Sequence, residues 1–248
     1  MRYPIPFFLL SFIGLWVSVK AGAMLCTRRQ PLDEKMRSDF SVVQGAVLTL
    51  LGLIIGFSFS MAISRYDQRK NYEEEEANAI GTEYLRVDLL PASDAEKVRE
   101  LIKNYLNQRI AFYETRDANQ LDQIQRDTSR LQTDLWAVVR TNATTQSTPT
   151  FALVVSGMND VLNSQGYTQA AWWNHIPVSA WALMASIAVV GCFIVGYGSH
   201  RTGFLSLVFP LVIAIAFFLI SDLDSPRRGL IRMQAENLRS LAQSLKSL

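Results

Sequence analysis

The 248-residue chain has two cysteines and two histidines, and only 19% of its residues are charged. Cys26 and Cys192 each sit in or beside an apolar run, so they make neither a disulfide framework nor a thiolate metal site. His175 and His200 stand alone at the edges of apolar runs, where an isolated imidazole reads as a solvated end residue rather than a ligand. No zinc-ligand spacing, P-loop, dinucleotide glycine pattern or nucleophile elbow occurs. No nucleophile or carboxylate pair stands out either. An enzyme, a cofactor and a nucleic-acid partner are therefore not expected.

What the chain has in excess is apolar residues, 49% of the total, and they are unevenly placed. Residues 64–175 hold 12 Lys/Arg against 16 Asp/Glu, whereas the rest of the chain holds 12 against 6 and carries the long apolar runs. This pattern excludes a soluble protein of average composition. It reads as a membrane protein with an acidic, charge-rich insert.

A bilayer core of about 30 Å takes roughly 20 apolar helical residues. Four stretches qualify: 5–25, 42–63, 176–197 and 202–221. Lys20 lies near enough to the end of the first to snorkel to the headgroups. Trp172, Trp173 and Trp181 open the third, as an aromatic belt does, and Pro210 interrupts the fourth. Ala21-Gly22-Ala23 also resembles a signal-peptide cleavage site, a rival reading that Lys20 and the length of the apolar run oppose. The expected layout is a first transmembrane pair within 1–63, an insert at 64–175, a second pair within 176–221 and an amphipathic tail at 222–248.

An even number of spans puts the insert and both termini on one side. Near the spans that side carries Arg2, Arg65, Arg69, Lys70, Arg227, Arg228, Arg232 and Arg239; the opposite loops carry Arg28, Arg29, Lys35, Arg37 and Arg201. By the positive-inside rule the insert is cytoplasmic.

Apolar residues in the insert recur every three or four positions, so helices are expected and the fold class is all-α. The second span continues as one helix to about Leu90, where Pro91 stops it. Ser93 and Glu96 form a capping box. Val98, Leu101, Ile102, Tyr105, Phe112 and Tyr113 follow as one stripe, and Leu121, Ile124, Leu131, Leu135 and Val138 as another at near-heptad spacing. After a polar linker at 144–148, Thr148-Pro149 starts a helix bearing Phe151, Val154, Val155, Met158 and Val161. Ser225-Pro226 is expected to cap a tail helix bearing Leu230, Leu238, Leu241, Leu245 and Leu248.

The second span carries two adjacent stripes at steps of four. Gly52, Gly56, Ser60 and Ser64 are small; Thr49, Leu53, Phe57 and Met61 are bulkier. Small residues let helices approach closely in lipid, which fits a tightly packed bundle helix. The same pattern fits a pore helix repeated around a symmetry axis. In that reading the small stripe seats a neighbour, and Thr49, Leu53 and Phe57 stack as a constriction that gates by dewetting.

Residues 50–91 and 218–233 closely resemble a family of bacterial membrane proteins described as bestrophin-like. True bestrophins are more distantly similar. They have a Gly-Phe in the pore helix followed at fixed spacing by a basic residue, a spacing that Gly56-Phe57 and Arg65-Tyr66-Asp67 keep. Their acidic, proline-containing exit from the last span is loosely matched by Asp222-Leu223-Asp224-Ser225-Pro226. The resemblance implies a pentameric channel for small inorganic ions in a bacterial inner membrane, with cytoplasmic termini and a hydrophobic neck at Thr49, Leu53 and Phe57. The chain departs from bestrophins in the smaller, more polar Thr49 and in Tyr66-Asp67, which stands where they have a Trp pair. Arg227-Arg228 follows the exit where the animal channels continue an acidic calcium clasp, so calcium gating is not implied.

Charged residues near the membrane have two readings each. Glu73, Glu74, Glu75 and Glu76 fan over about 300° of a helix and cannot converge on one ion within a subunit. Either they form a solvated stem surface or, in a ring, one or two of them line a vestibule and attract cations. Arg65 and Asp67 are the stem charges beside them, and with Arg65, Arg69 and Lys70 one or two turns away the permeant sign is not fixed. Asp222, Asp224, Arg227 and Arg228 either pair with Arg65, Asp67 or Arg69 on the stem, or the two arginines meet anionic lipid. The function expected is a homo-oligomeric ion channel in a lipid bilayer. The alternative is a non-conducting scaffold or sensor whose helical insert binds a partner.

Overall fold

The computed structural model describes residues 4–27, 34–145, 148–198 and 204–247. Arg2, Arg28, Arg29, His200, Arg201, the first residues of the fourth span and Leu248 lie outside them, as do the Lys35 and Arg37 side chains. The described residues form eight α-helices and no strand. The helices are α1 (Pro4–Thr27), α2 (Glu34–Arg86), α3 (Ala92–Glu114), α4 (Ala118–Thr145), α5 (Pro149–Trp173), α6 (Val178–Gly198), α7 (Leu205–Leu223) and α8 (Glu236–Ser244). Four helical stretches are long and apolar enough to cross a membrane. Their apolar parts fall in α1, α2, α6 and α7, and the chain is an all-helical membrane protein.

The chain divides into two compact units. One joins Met1–Arg65 to His175–Ile231, the other Tyr66–Asn174 to Arg232–Leu248. In the first, α1 packs on α6 and α7. Two glycines make the α1–α6 approach possible. A Cβ at Gly22 would collide with the Phe193 carbonyl, and one at Gly196 with the Val19 carbonyl. The Ser18 hydroxyl donates to the Val189 carbonyl at 2.8 Å across the same contact. Trp181 stands edge-on to Phe7 at 5.3 Å and to Phe217 at 6.0 Å. The Lys20 ammonium lies 5.6 Å from the Trp16 ring centroid, a cation–π contact that shelters the charge. α7 continues through Pro210.

The second unit has a conventional apolar core. Ile80, Val98, Ile102, Tyr105, Leu106, Phe112, Leu135, Val154, Met158, Val161 and Leu238 are buried together. The stripes at 98–113 and 121–138 thus face inward, with Leu101, Leu121 and Leu131 only partly covered. Thr148 caps α5 as expected, its hydroxyl accepting the Phe151 N–H at 3.1 Å.

Four local expectations change. α2 ends at Arg86, and a 3₁₀ turn (Val87–Leu89) precedes Pro91. Pro91 is the N-cap of α3, its carbonyl taking the Asp94 and Ala95 N–H groups at 2.9 Å. Ser93 and Glu96 therefore both lie inside the helix, and no capping box forms. Trp172 is not a belt residue. It is 5% exposed and packs edge-on against Phe112 at 4.9 Å and Tyr113 at 5.4 Å, because α5 runs to Trp173 before the break at 174–177. The tail helix starts at Glu236 instead of beside Pro226, since Asp222 holds the intervening chain in a turn described below.

Candidate functional site

The apolar part of α2 has one face turned to its own unit. Leu51, Ser58 and Ala62 are buried there, and the Val47, Leu48 and Leu51 side chains lie 3.6–3.8 Å from where a Gly191 Cβ would sit. The other face is uncovered by the described residues. Thr49, Leu53 and Phe57 are on it, with Leu53 53% and Phe57 65% exposed. So are Gly52, Gly56, Ser60 and Ser64. A Cβ added at Gly52 or Gly56 would meet nothing within 4 Å. Among the described residues, then, the small stripe is not the close-packed one; that role belongs to Gly22 and Gly196.

At the end of the last span two aspartates do different work. Asp224, 4% exposed, accepts the Ile176 N–H at 3.1–3.2 Å, and its carboxylate lies 3.8 Å from Arg65 and 3.5 Å from the His175 ring. His175 Nδ1 also sits 2.8 Å from the Asp224 carbonyl, so this histidine is not merely a solvated end residue. Asp222, 1% exposed, accepts the Leu230 and Ile231 N–H groups at 2.7 and 2.8 Å. Gly229 completes that turn, because a Cβ there would press on Asp222. Of the expected exit pairings, Asp224 with Arg65 is present. Asp222 spends its carboxylate on backbone amides, Asp67 is exposed, Arg227 is half-buried and Arg228 exposed.

The glutamate run is not a uniform solvated surface. Glu74 and Glu75 are exposed, while Glu73 and Glu76 are buried within the second unit. Glu76 pairs with the fully buried Arg109 and accepts from the Tyr113 hydroxyl at 3.3 Å and the Thr168 hydroxyl at 3.1 Å. Arg109 also lies 4.5 Å from the Phe112 ring centroid. Glu73 accepts the Leu238 N–H at 2.9 Å and the Asn237 amide at 2.6 Å, and so caps α8, whose own N-cap, Ala235, has no side-chain acceptor. Burial raises the Glu73 carboxyl above its ordinary value against the pull of those donors. Arg69, also buried, closes the end of α5 by donating to the Ala171 carbonyl at 3.1 Å and the Asn174 carbonyl at 2.9 Å.

The missed residues Glu83 and Arg109, and the inward role of Arg69, had a signal. Arg69, Glu73, Glu76, Ile80, Glu83 and Val87 step by four and three along α2, and Val98, Ile102, Tyr105, Arg109 and Phe112 do so along α3. That is the seam of packed helices with charges at core positions. Among the described residues no group of three His, Cys, Asp or Glu side chains could hold a metal ion.

No curated protein sequence matches the chain. Several solved structures of a bacterial bestrophin homologue from Klebsiella pneumoniae do. Two point-mutant forms each align with a TM-score of 0.68, one at 14% identity over 98% of this chain and 97% of that one, the other at 13% over 98% and 95%. A form phased from zinc gives 0.64 at 14% identity, again over 98% and 97%. At such identities the likeness is one of fold, and it spans both units. The bestrophin-like domain itself matches residues 11–238, which takes in α2 and the acidic exit together, and the chain therefore belongs to the bestrophin-like family.

Proposed function

We propose that this chain is one subunit of an ion channel: a cyclic homo-oligomer, pentameric by its likeness to bestrophins, with α2 of every subunit lining the conduit. The observation that carries the reading is the uncovered face of α2, where Thr49, Leu53 and Phe57 stand beside a glycine stripe that none of the described residues fills. In a ring, Gly52, Gly56, Ser60 and Ser64 seat the adjacent subunit, and one head-to-tail contact repeats until it closes. Leu53 and Phe57 then form stacked apolar rings, narrow enough to expel water until they move apart. Family membership supports this arrangement. So do the heptad-like stripes of the insert, which are buried in their own unit and are not left for a partner protein, as a scaffold would need.

The bilayer is that of a bacterial inner membrane, with the insert and termini on the cytoplasmic side, where basic residues are more numerous. Arg65, Asp67, Glu74 and Glu75 are the charges left to influence small ions near the mouth, Glu73 and Glu76 being engaged internally. The test is ion flux from liposomes containing purified protein, with potassium and chloride gradients run separately. Flux is expected in one of them, and Leu53→Ala with Phe57→Ala should raise basal flux several-fold by widening the neck. An assembly that passes neither ion under varied pH, potential and calcium would overturn the reading. Unchanged flux in the double variant would remove the neck assignment alone.

A further inference from the structure

Glu83 lies in the second unit, on the inward face of α2, and is fully buried. Neither of its carboxyl oxygens has a hydrogen-bond partner among the described residues. It packs flat on α5 at Gly157, where a Cβ would collide with Oε2 and would also crowd the Arg86 guanidinium. Glycine is thus required for this carboxyl to be seated there. The charged groups that face it are Arg86 on α2 and Asp160 on α5. Arg86 Nη1 is at the same place yet directs its hydrogen bond to the Leu153 carbonyl at 3.3 Å.

An ionised carboxylate buried with no donor is costly, whereas the neutral acid is tolerated. The guanidinium beside Glu83 is its natural partner once a charge appears, but it already holds a backbone carbonyl. We propose that Glu83 is a proton-binding switch: protonated, it rests on Gly157 while Arg86 holds Leu153; deprotonated, it draws Arg86 off Leu153 and loosens the α2–α5 contact. Burial pushes the carboxyl up to about 8, with Arg86 opposing the rise and Asp160 adding to it, so the exchange falls in the range a cell visits.

The sign follows by linkage. The folded chain binds this proton up to higher pH than the unfolded chain does. The stability it contributes is complete below the ordinary carboxylate value of 4.5 and is lost as pH rises through about 8. Glu73, also raised by burial, tilts stability the same way, so Glu83 is isolated by comparing variant with wild type.

The switch stands on the packing of the second unit and does not depend on ion conduction; its test therefore reads structure, not flux. Thermal unfolding of the purified full-length chain is followed from pH 4 to pH 9, for wild type and for Glu83→Gln, which is the same shape and permanently neutral. The two should melt together at pH 4, below the ordinary carboxylate value, and separate as pH rises past it, the variant melting higher by about 4 °C or more at pH 9. Asp160→Asn should move the wild-type fall to lower pH. Infrared difference spectra should show a protonated-carboxyl stretch that vanishes through about pH 8 in wild type and is missing from Glu83→Gln. Parallel melting curves for the two proteins at every pH, or a wild-type carboxyl already ionised at pH 6, would sink the proposal.

Discussion

Arg109 illustrates how a charge can be a core residue. Its guanidinium is 1% exposed, faces Glu76 and lies against the Phe112 ring. Such a pair gains little over two apolar residues, yet breaking it strands the survivor. Arg109→Ala should therefore destabilise the protein by about 3–5 kcal/mol, read from thermal unfolding followed by circular dichroism. Arg109→Met combined with Glu76→Gln should recover much of that loss, because no unpaired charge remains. A double variant no better than the single one would mean that packing rather than charge dominates. The same burial raises Tyr105 and Tyr113, whose hydroxyls stay protonated beside the carboxylate.

At the scale of elements, the two kinds of glycine on the membrane helices are told apart by their surroundings. Gly196 of α6 is where a Cβ would meet the Val19 carbonyl of α1, and none of the described residues lies within 4 Å of a Cβ at Gly56 of α2. Gly196→Leu should therefore disrupt the subunit itself, costing about 1–3 kcal/mol or more and lowering the yield of folded protein. Gly56→Leu should leave the subunit folded and break the oligomer, seen as a smaller species by light scattering coupled to gel filtration. If Gly56→Leu leaves the oligomer intact, the glycine stripe faces lipid. The sequence shows small residues at steps of four in both places: Gly14, Ser18 and Gly22 on α1 are spaced like Gly52, Gly56 and Ser60 on α2. Spacing alone cannot say which stripe meets another helix of the same chain.

At the scale of the molecule, each compact unit is assembled from two separated pieces of chain. Residues 232–248 follow the last span but pack on the insert's core through Met233, Leu238 and Leu245, and Glu73 caps their helix. Each of those apolar side chains is worth about 1.5–3 kcal/mol when buried. Deleting 232–248 should accordingly open residues 66–174 to limited proteolysis and lower the melting temperature by many degrees. A deletion that leaves proteolysis unchanged would reduce the tail to an accessory.

The sequence by itself determined the fold class, the four apolar spans and the helices of the insert. These follow from length, hydropathy and a period near 3.6, which depend on a residue's neighbours along the chain. The Thr148 cap and the inward stripes of α3 and α4 were legible for the same reason, and the resemblance carried by residues 50–91 and 218–233 pointed to the family. Tertiary structure alone decided what the polar residues do. Glu73 and Glu76 look like a solvated run because a carboxylate in sequence is assumed to seek water. Only the arrival of α8 and α3 supplies the Leu238 amide and the Arg109 guanidinium that make their burial tolerable. Asp222, Asp224, His175 and Trp172 found their roles in the same way, through contacts made between residues distant in the chain.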